Sequence, residues 1–213
     1  NYYSLGAYPV LYAAGAVALQ QWTTQRLKWL KWAVAAVILF LAWVITPMAL
    51  PIWEPDKLAA FYKEKKMEKT GMLKWEDLQN HSLPQDFADY LGWKEMSQKA
   101  ESFYQSLPAE EKSNTIIFCR HYGQAGALKY YGRDDDFKNK VITDNGSFLH
   151  WIPNRIDFKN LLFIGGRMPG NDDEVFQHFE KVTIIDSVTY KHSRQRGDKI
   201  IFFENIDSAG LKL

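Results

Sequence analysis

The chain has 213 residues with 26 basic and 25 acidic side chains, and its one cysteine, Cys119, excludes an internal disulfide framework. Residues 1–53 hold only three charged groups, Arg26, Lys28 and Lys31, so residues 54–213 carry 23 basic and 25 acidic ones, a balance of −2 that excludes a general nucleic-acid surface. The stretch beyond residue 53, about 160 residues, is long enough to bury a core of its own.

In chain order, residues 2–19 contain Ser4 as the only clearly polar side chain and predict a first transmembrane helix, with small residues such as Gly6, Ala14 and Gly15 suited to close helix packing. The connection 20–31 has three basic and no acidic residues, which places it in the cytoplasm by the positive-inside rule. Residues 32–53, WAVAAVILFLAWVITPMALPIW, have no charged side chain and only Thr46 polar, and at 22 residues match about 30 Å of hydrocarbon. Trp29, Trp32 and Trp53 suit the headgroup layer at its ends, where Lys28 and Lys31 can snorkel. Lys57, Lys63, Lys65, Lys66 and Lys69 argue for the opposite orientation, but long domains translocate largely regardless of charge. The chain opens on Asn1 inside a hydrophobic pattern, and the expectation is a fragment preceded by further membrane helices.

Residues 54–113 read as a juxtamembrane helical region. Leu58, Phe61, Tyr62 and Lys65 share one helical face within 56–69, suited to a membrane surface or to packing on the soluble domain. Trp93, Met96, Ala100, Phe103, Tyr104 and Leu107 mark the core face of a helix ending before Pro108. Residues 114–213 then alternate apolar runs with helical segments. Strands are predicted at 115–120, 140–143, 161–164, 182–186 and 199–204, and helices at 124–131 and 172–179. The predicted fold is therefore two transmembrane α-helices followed by a soluble α/β domain, an open, mostly parallel sheet with helices on both faces, where ligands sit beyond the carboxyl ends of the strands.

That rule selects His121, Tyr122 and Gln124, where the first strand meets its helix, as a polar cluster suited to a sugar or acceptor; capping and helix packing account for the same residues. Arg167, in the turn with Gly165, Gly166 and Gly170, can meet an anion. Gly123 and Gly126 complete neither GxGxxG nor a P-loop. Asp134, Asp135 and Asp136 read as a solvated turn rather than a cation site, and the five histidines show no metal-ligand spacing, so no metal is expected.

The segments NYYSLGAYPVLYAAGAVALQQW, TPMALPIW, YLGWKEM, IIFCRHYGQAGALKYYG and FLHWIP, in this order over residues 1–165, resemble the C-terminal part of bacterial membrane glycosyltransferases of family 39 and their dolichyl-phosphate-mannose protein mannosyltransferase-like relatives. The resemblance implies an enzyme of the bacterial inner membrane that moves a sugar from a polyprenyl-phosphate carrier to a protein, lipid or glycan acceptor on the outer side. It also implies that the catalytic carboxylate lies in a loop outside this chain, so that no catalytic residue is expected here and residues 114–213 are extracytoplasmic. By the same resemblance Tyr2 and Tyr3 would contact the donor's phosphate, though an aromatic belt accounts for them without a ligand. Asp144 and Asn145 fall where relatives carry an aromatic-rich polar segment, with His150 displaced from the family's position. The expected partners are the bilayer, the missing helices, the polyprenyl-phosphate sugar and an acceptor, with no cofactor held by these residues. The alternative is a membrane-anchored, non-catalytic binding or interaction module of the cell envelope.

Overall fold

The computed structural model describes residues 6–24, 27–50, 52–153, 156–166 and 174–212. The chain divides into two compact units, residues 1–60 and 61–213.

In the first unit, α1 (Tyr8–Thr23) runs for 16 residues, with Pro9 in its first turn where a missing N–H costs nothing. It continues past the predicted end at residue 19, because the hydroxyls of Thr23 and Thr24 donate to the carbonyls of Leu19 and Gln20 at 2.7 and 2.6 Å and satisfy its last turn. Gln20 and Gln21 thus belong to the helix and dilute its apolar run. Among the described residues only α2 (Leu30–Ala49), 20 residues that include an 18-residue window with a mean hydropathy of 2.2, is long and apolar enough to cross a membrane, so the predicted pair of transmembrane helices is corrected to one candidate. α2 stops earlier than predicted: Pro47 removes a donor from its last turn, and Leu50, preceding Pro51, is extended at φ −114° and ψ 144°. Lys31 lies 5.5 Å from the Trp32 ring centre and Lys57 lies 4.9 Å from that of Trp53.

α3 (Pro55–Glu64) buries Leu58 and Tyr62 and ends where Lys66 takes a left-handed φ of 52°. Within the second unit come α4 (Gln85–Ala88), α5 (Trp93–Ser106) and α6 (Ala109–Ser113), then β1 (Thr115–Cys119), α7 (Tyr122–Tyr131), α8 (Asp135–Asn139) and β2 (Val141–Ile142). A turn of 3-10 helix at Gly146–Trp151 leads toward β3 (Asn160–Gly165), and a second at Glu174–His178 leads into β4 (Phe179–Ser187), followed by β5 (Lys199–Ile206). The predicted helix at 172–179 is thus, over its described part, a 3-10 turn and the first residue of β4.

The sheet order is β2-β1-β3-β5-β4. β1 pairs parallel with β2 and β3, whereas β5 pairs antiparallel with both β3 and β4, so the sheet is mixed and not mostly parallel. The connection 188–198 explains this: it is too short for the helical crossover that parallel neighbours need, and it returns β5 beside β4 as a hairpin. The prediction of helices on both faces is also corrected: among the described residues the α-helices that pack on the sheet do so on one face. Alternate residues of β1, β3 and β5, including Ile117, Leu162, Ile164 and Phe202, pack with Met96, Ala100 and Tyr104 of α5 and Ala125 and Leu128 of α7. The other face, with Leu161, Phe163, Ile201 and Phe203, is covered by Phe158, Phe176 and Phe179, aromatic side chains from connecting segments and a strand end. Phe163 meets Phe176 edge to face at 5.2 Å.

Candidate functional site

The chain leaves β1 toward β2 through α7, while β3 lies on the other side of β1, so the topological switch falls between the carboxyl ends of β1 and β3. Arg120 and His121 arrive there from β1 and Gly166 from β3, and Asp198, just before the antiparallel β5, stands alongside.

His121 sets the start of α7. It is extended at φ −134°, its ring Nδ1 accepts the Gly123 amide at 3.1 Å, and its own amide donates to the Gln124 side-chain oxygen at 3.0 Å, a reciprocal capping box. Accepting at Nδ1 leaves the proton of the neutral ring on Nε2. Loss of solvent around the ring lowers the His121 pKa, repulsion from Arg194 lowers it further, and Asp89 opposes both. Tyr122, half-exposed, lies against His121 with ring centres 4.1 Å apart.

Gln124 is buried, and its amide donates to Asp198 Oδ2 at 2.7 Å. Burial raises the Asp198 pKa against the opposing effect of that bond. A side chain on Gly166 would start 3.1 Å from Asp198 Oδ1, so the backbone approaches this carboxylate as only glycine allows without displacing it.

The predicted cluster is therefore only partly assembled. His121, Tyr122 and Gln124 meet at the switch point. Asn145 belongs to the turn after β2, where its amide donates to the Thr143 hydroxyl at 3.2 Å, and Gly146 next to it, at φ 65°, comes up against the Tyr122 ring. Asp144 opens instead onto the other face of the sheet, where it and Arg120 flank a cavity of about 420 Å³ lined by Ile116, Phe118, Phe163 and Phe176. Tyr2, Tyr3 and Arg167 lie outside the described residues. The three consecutive aspartates have separate structural partners: Asp134 caps α8 through the Phe137 amide at 2.8 Å, Asp135 pairs with Lys138 at 2.5 Å, and Asp136 accepts from the Tyr104 hydroxyl at 2.5 Å. Cys119 is buried in β1, and burial raises its thiol pKa well above the ordinary value, which keeps it protonated and inert.

Arg194, whose charge reaches His121, forms one wall of a second, polar cavity of about 440 Å³. Its Nη1 donates to Asp89 at 3.1 and 3.2 Å and its Nη2 to Glu76 at 2.7 Å. The histidines at this cavity, His81 and His192, show no helical or ligand spacing in the sequence; the visible signal was the basic run Lys191, Arg194, Arg196. No family model, no curated protein and no solved structure matches the chain.

Proposed function

We propose that the chain is the membrane-attached C-terminal portion of a bacterial glycosyltransferase that draws on a polyprenyl-phosphate-linked sugar, with residues 61–213 an accessory domain outside the cytoplasmic membrane. The domain shapes acceptor access, and the transferring carboxylate lies elsewhere in the full protein. The observation that carries the attachment is α2. None of its residues is buried, and Val37, Ile38, Leu39, Phe40, Leu41, Trp43, Val44 and Ile45 are all exposed. Covering such side chains is worth about 1.5–3 kcal/mol each, so leaving them in water would cost on the order of 10 kcal/mol, as much as a domain's whole stability. A bilayer supplies the cover. The glycosyltransferase assignment rests on the ordered sequence resemblance.

His121 and Gln124 are committed to capping α7, which favours binding over chemistry at the switch point and keeps the non-catalytic envelope module as a second reading. Transfer of labelled sugar from a polyprenyl-phosphate donor by the full-length protein tests the choice. Transfer by the full protein and none by residues 1–213 alone is expected; activity of residues 1–213 alone would overturn the placement of the catalytic group, and an inactive full protein would leave the binding module. A compartment-sensitive reporter fused after Leu213 should read outside the cytoplasm.

A further inference from the structure

Two segments more than a hundred residues apart build the polar cavity of about 440 Å³. One wall comes from residues 75–85 and the other from residues 191–196 in the β4–β5 connection. Its parts are fixed before any ligand arrives. The Trp75 indole N–H donates to the Leu83 carbonyl at 2.8 Å, and the His81 ring stacks on the indole with centres 3.6 Å apart and planes 12° from parallel. Ser82 Oγ is 2.9 Å from His192 Nδ1, and the Gln85 side-chain oxygen accepts the Glu76 amide at 2.8 Å.

The acids here are already spoken for. Glu76 holds Arg194, and Asp77 holds His81 at 2.8 Å and the Gln79 amide at 2.9 Å. Lys191 and Arg196, both exposed, add two further cations to the facing wall. A site combining a flat ring platform, a hydroxyl and an amide held in place, and cations at one side matches a polyhydroxyl body that carries an anionic group.

From this juxtaposition we infer that the cavity binds an anionic saccharide, a sugar bearing a carboxylate or a phosphate, with the ring against His81 and Trp75 and the anion toward Lys191 and Arg196. The binding stands apart from the transfer reading: a failed transfer assay leaves it untouched, and a failed binding measurement leaves the membrane attachment and the transfer untouched.

The test is isothermal titration calorimetry on residues 1–213 in detergent micelles at low salt, with glucuronate, glucose 6-phosphate, glucose and inorganic phosphate as probes. Saturable binding of at least one acidic sugar is expected, tenfold or more tighter than glucose or inorganic phosphate and weakened by added salt. The double variant Lys191→Gln, Arg196→Gln should weaken it about tenfold or more in protein whose circular dichroism matches the parent's. His81→Ala should weaken it with Lys191 and Arg196 still in place. No saturable binding of either acidic sugar, equal binding of glucose, or affinity unchanged in the double variant would overturn the inference. Inorganic phosphate binding as tightly as the sugar acids would overturn it too, by showing an adventitious anion only.

Discussion

Replacing Glu95 with glutamine is expected to loosen the β4–β5 connection from α5 and to do so in a pH-dependent way. One carboxylate oxygen of Glu95 accepts from the Thr189 amide at 2.9 Å and the Thr189 hydroxyl at 2.6 Å, and the other accepts from the Tyr190 amide at 3.0 Å. Lys99, one helical turn on, pairs with Glu95 at 2.9 Å and with Asp186 of β4 at 3.1 Å. Burial acts to raise the Glu95 pKa, but the Thr189 hydroxyl, Lys99 and the two amides outweigh it and bring the pKa from an ordinary 4.5 down to about 2. At about 1.4 kcal/mol per pKa unit the shift is worth up to roughly 3 kcal/mol, and partial solvent access reduces that to about 2 kcal/mol. Because the folded-state pKa is depressed, the contribution is fully present above 4.5, shrinks as the pH falls, and is gone below about 2. Thermal unfolding of residues 61–213, followed by circular dichroism on the whole chain in micelles, should show the Glu95→Gln midpoint at pH 7 lower by roughly 4–8 °C. The gap should narrow between pH 4.5 and the acid limit. A midpoint within 1 °C of the parent protein at pH 7, or a gap that stays constant on acidification, would refute the assignment of this carboxylate as the tie between helix and hairpin.

Three other substitutions probe the packing, the Asp198 carboxylate and the apolar helix. Gly92 sits at φ 87° with the Ser193 side chain where a Cβ would be, so Gly92→Ala should destabilise the second unit by about 1–3 kcal/mol in denaturant titration; a neutral effect would refute both the clash with Ser193 and the backbone strain. Asp198 has a raised folded-state pKa, so its ionisation costs stability as the pH rises through the unfolded value toward the folded one; Asp198→Asn should be as stable as the parent or more so at pH 7 and show no gain at pH 3, whereas a loss of more than about 1 kcal/mol at pH 7 would mean the charge itself is used. Leu39→Arg places a charge near the middle of α2 and should cost about 2.5–3.5 kcal/mol of membrane insertion, read as a lower membrane-integrated fraction after carbonate extraction; unchanged integration would argue against α2 as a span.

What the sequence could and could not tell divides along the range of the interactions. β1 and β3 are short, largely apolar runs, TIIFC and NLLFIG, bounded by polar residues or glycine, and their positions follow from local pattern alone. Their neighbours do not. Whether β5 runs with or against β3 depends on what lies between β4 and β5, and the cue was present: residues 188–198 lack helical periodicity and include Gly197 at φ 94°, which suits a reversal and not a crossover. Reading the alternation of strand and helix without weighing that one connection turned a hairpin into a parallel edge. The first apolar stretch departs from its prediction at both ends: the described helix starts at Tyr8, and Thr23 and Thr24 carry it through the polar Gln20 and Gln21, so its 16 residues, about 24 Å, are both shorter and less apolar than the run 2–19. The cluster at the switch point was legible because His121 and Gln124 are three residues apart, the spacing of a capping box, yet its buried partner Asp198 comes from 74 residues away. The polar cavity was further out of reach, since Arg194 meets Glu76 across 118 positions and nothing local marks either as a partner of the other. Pairing across such separations arises only once the β4–β5 hairpin is docked on α5, and Glu95, the residue that docks it, looks in the sequence like any other surface acid on an amphipathic helix.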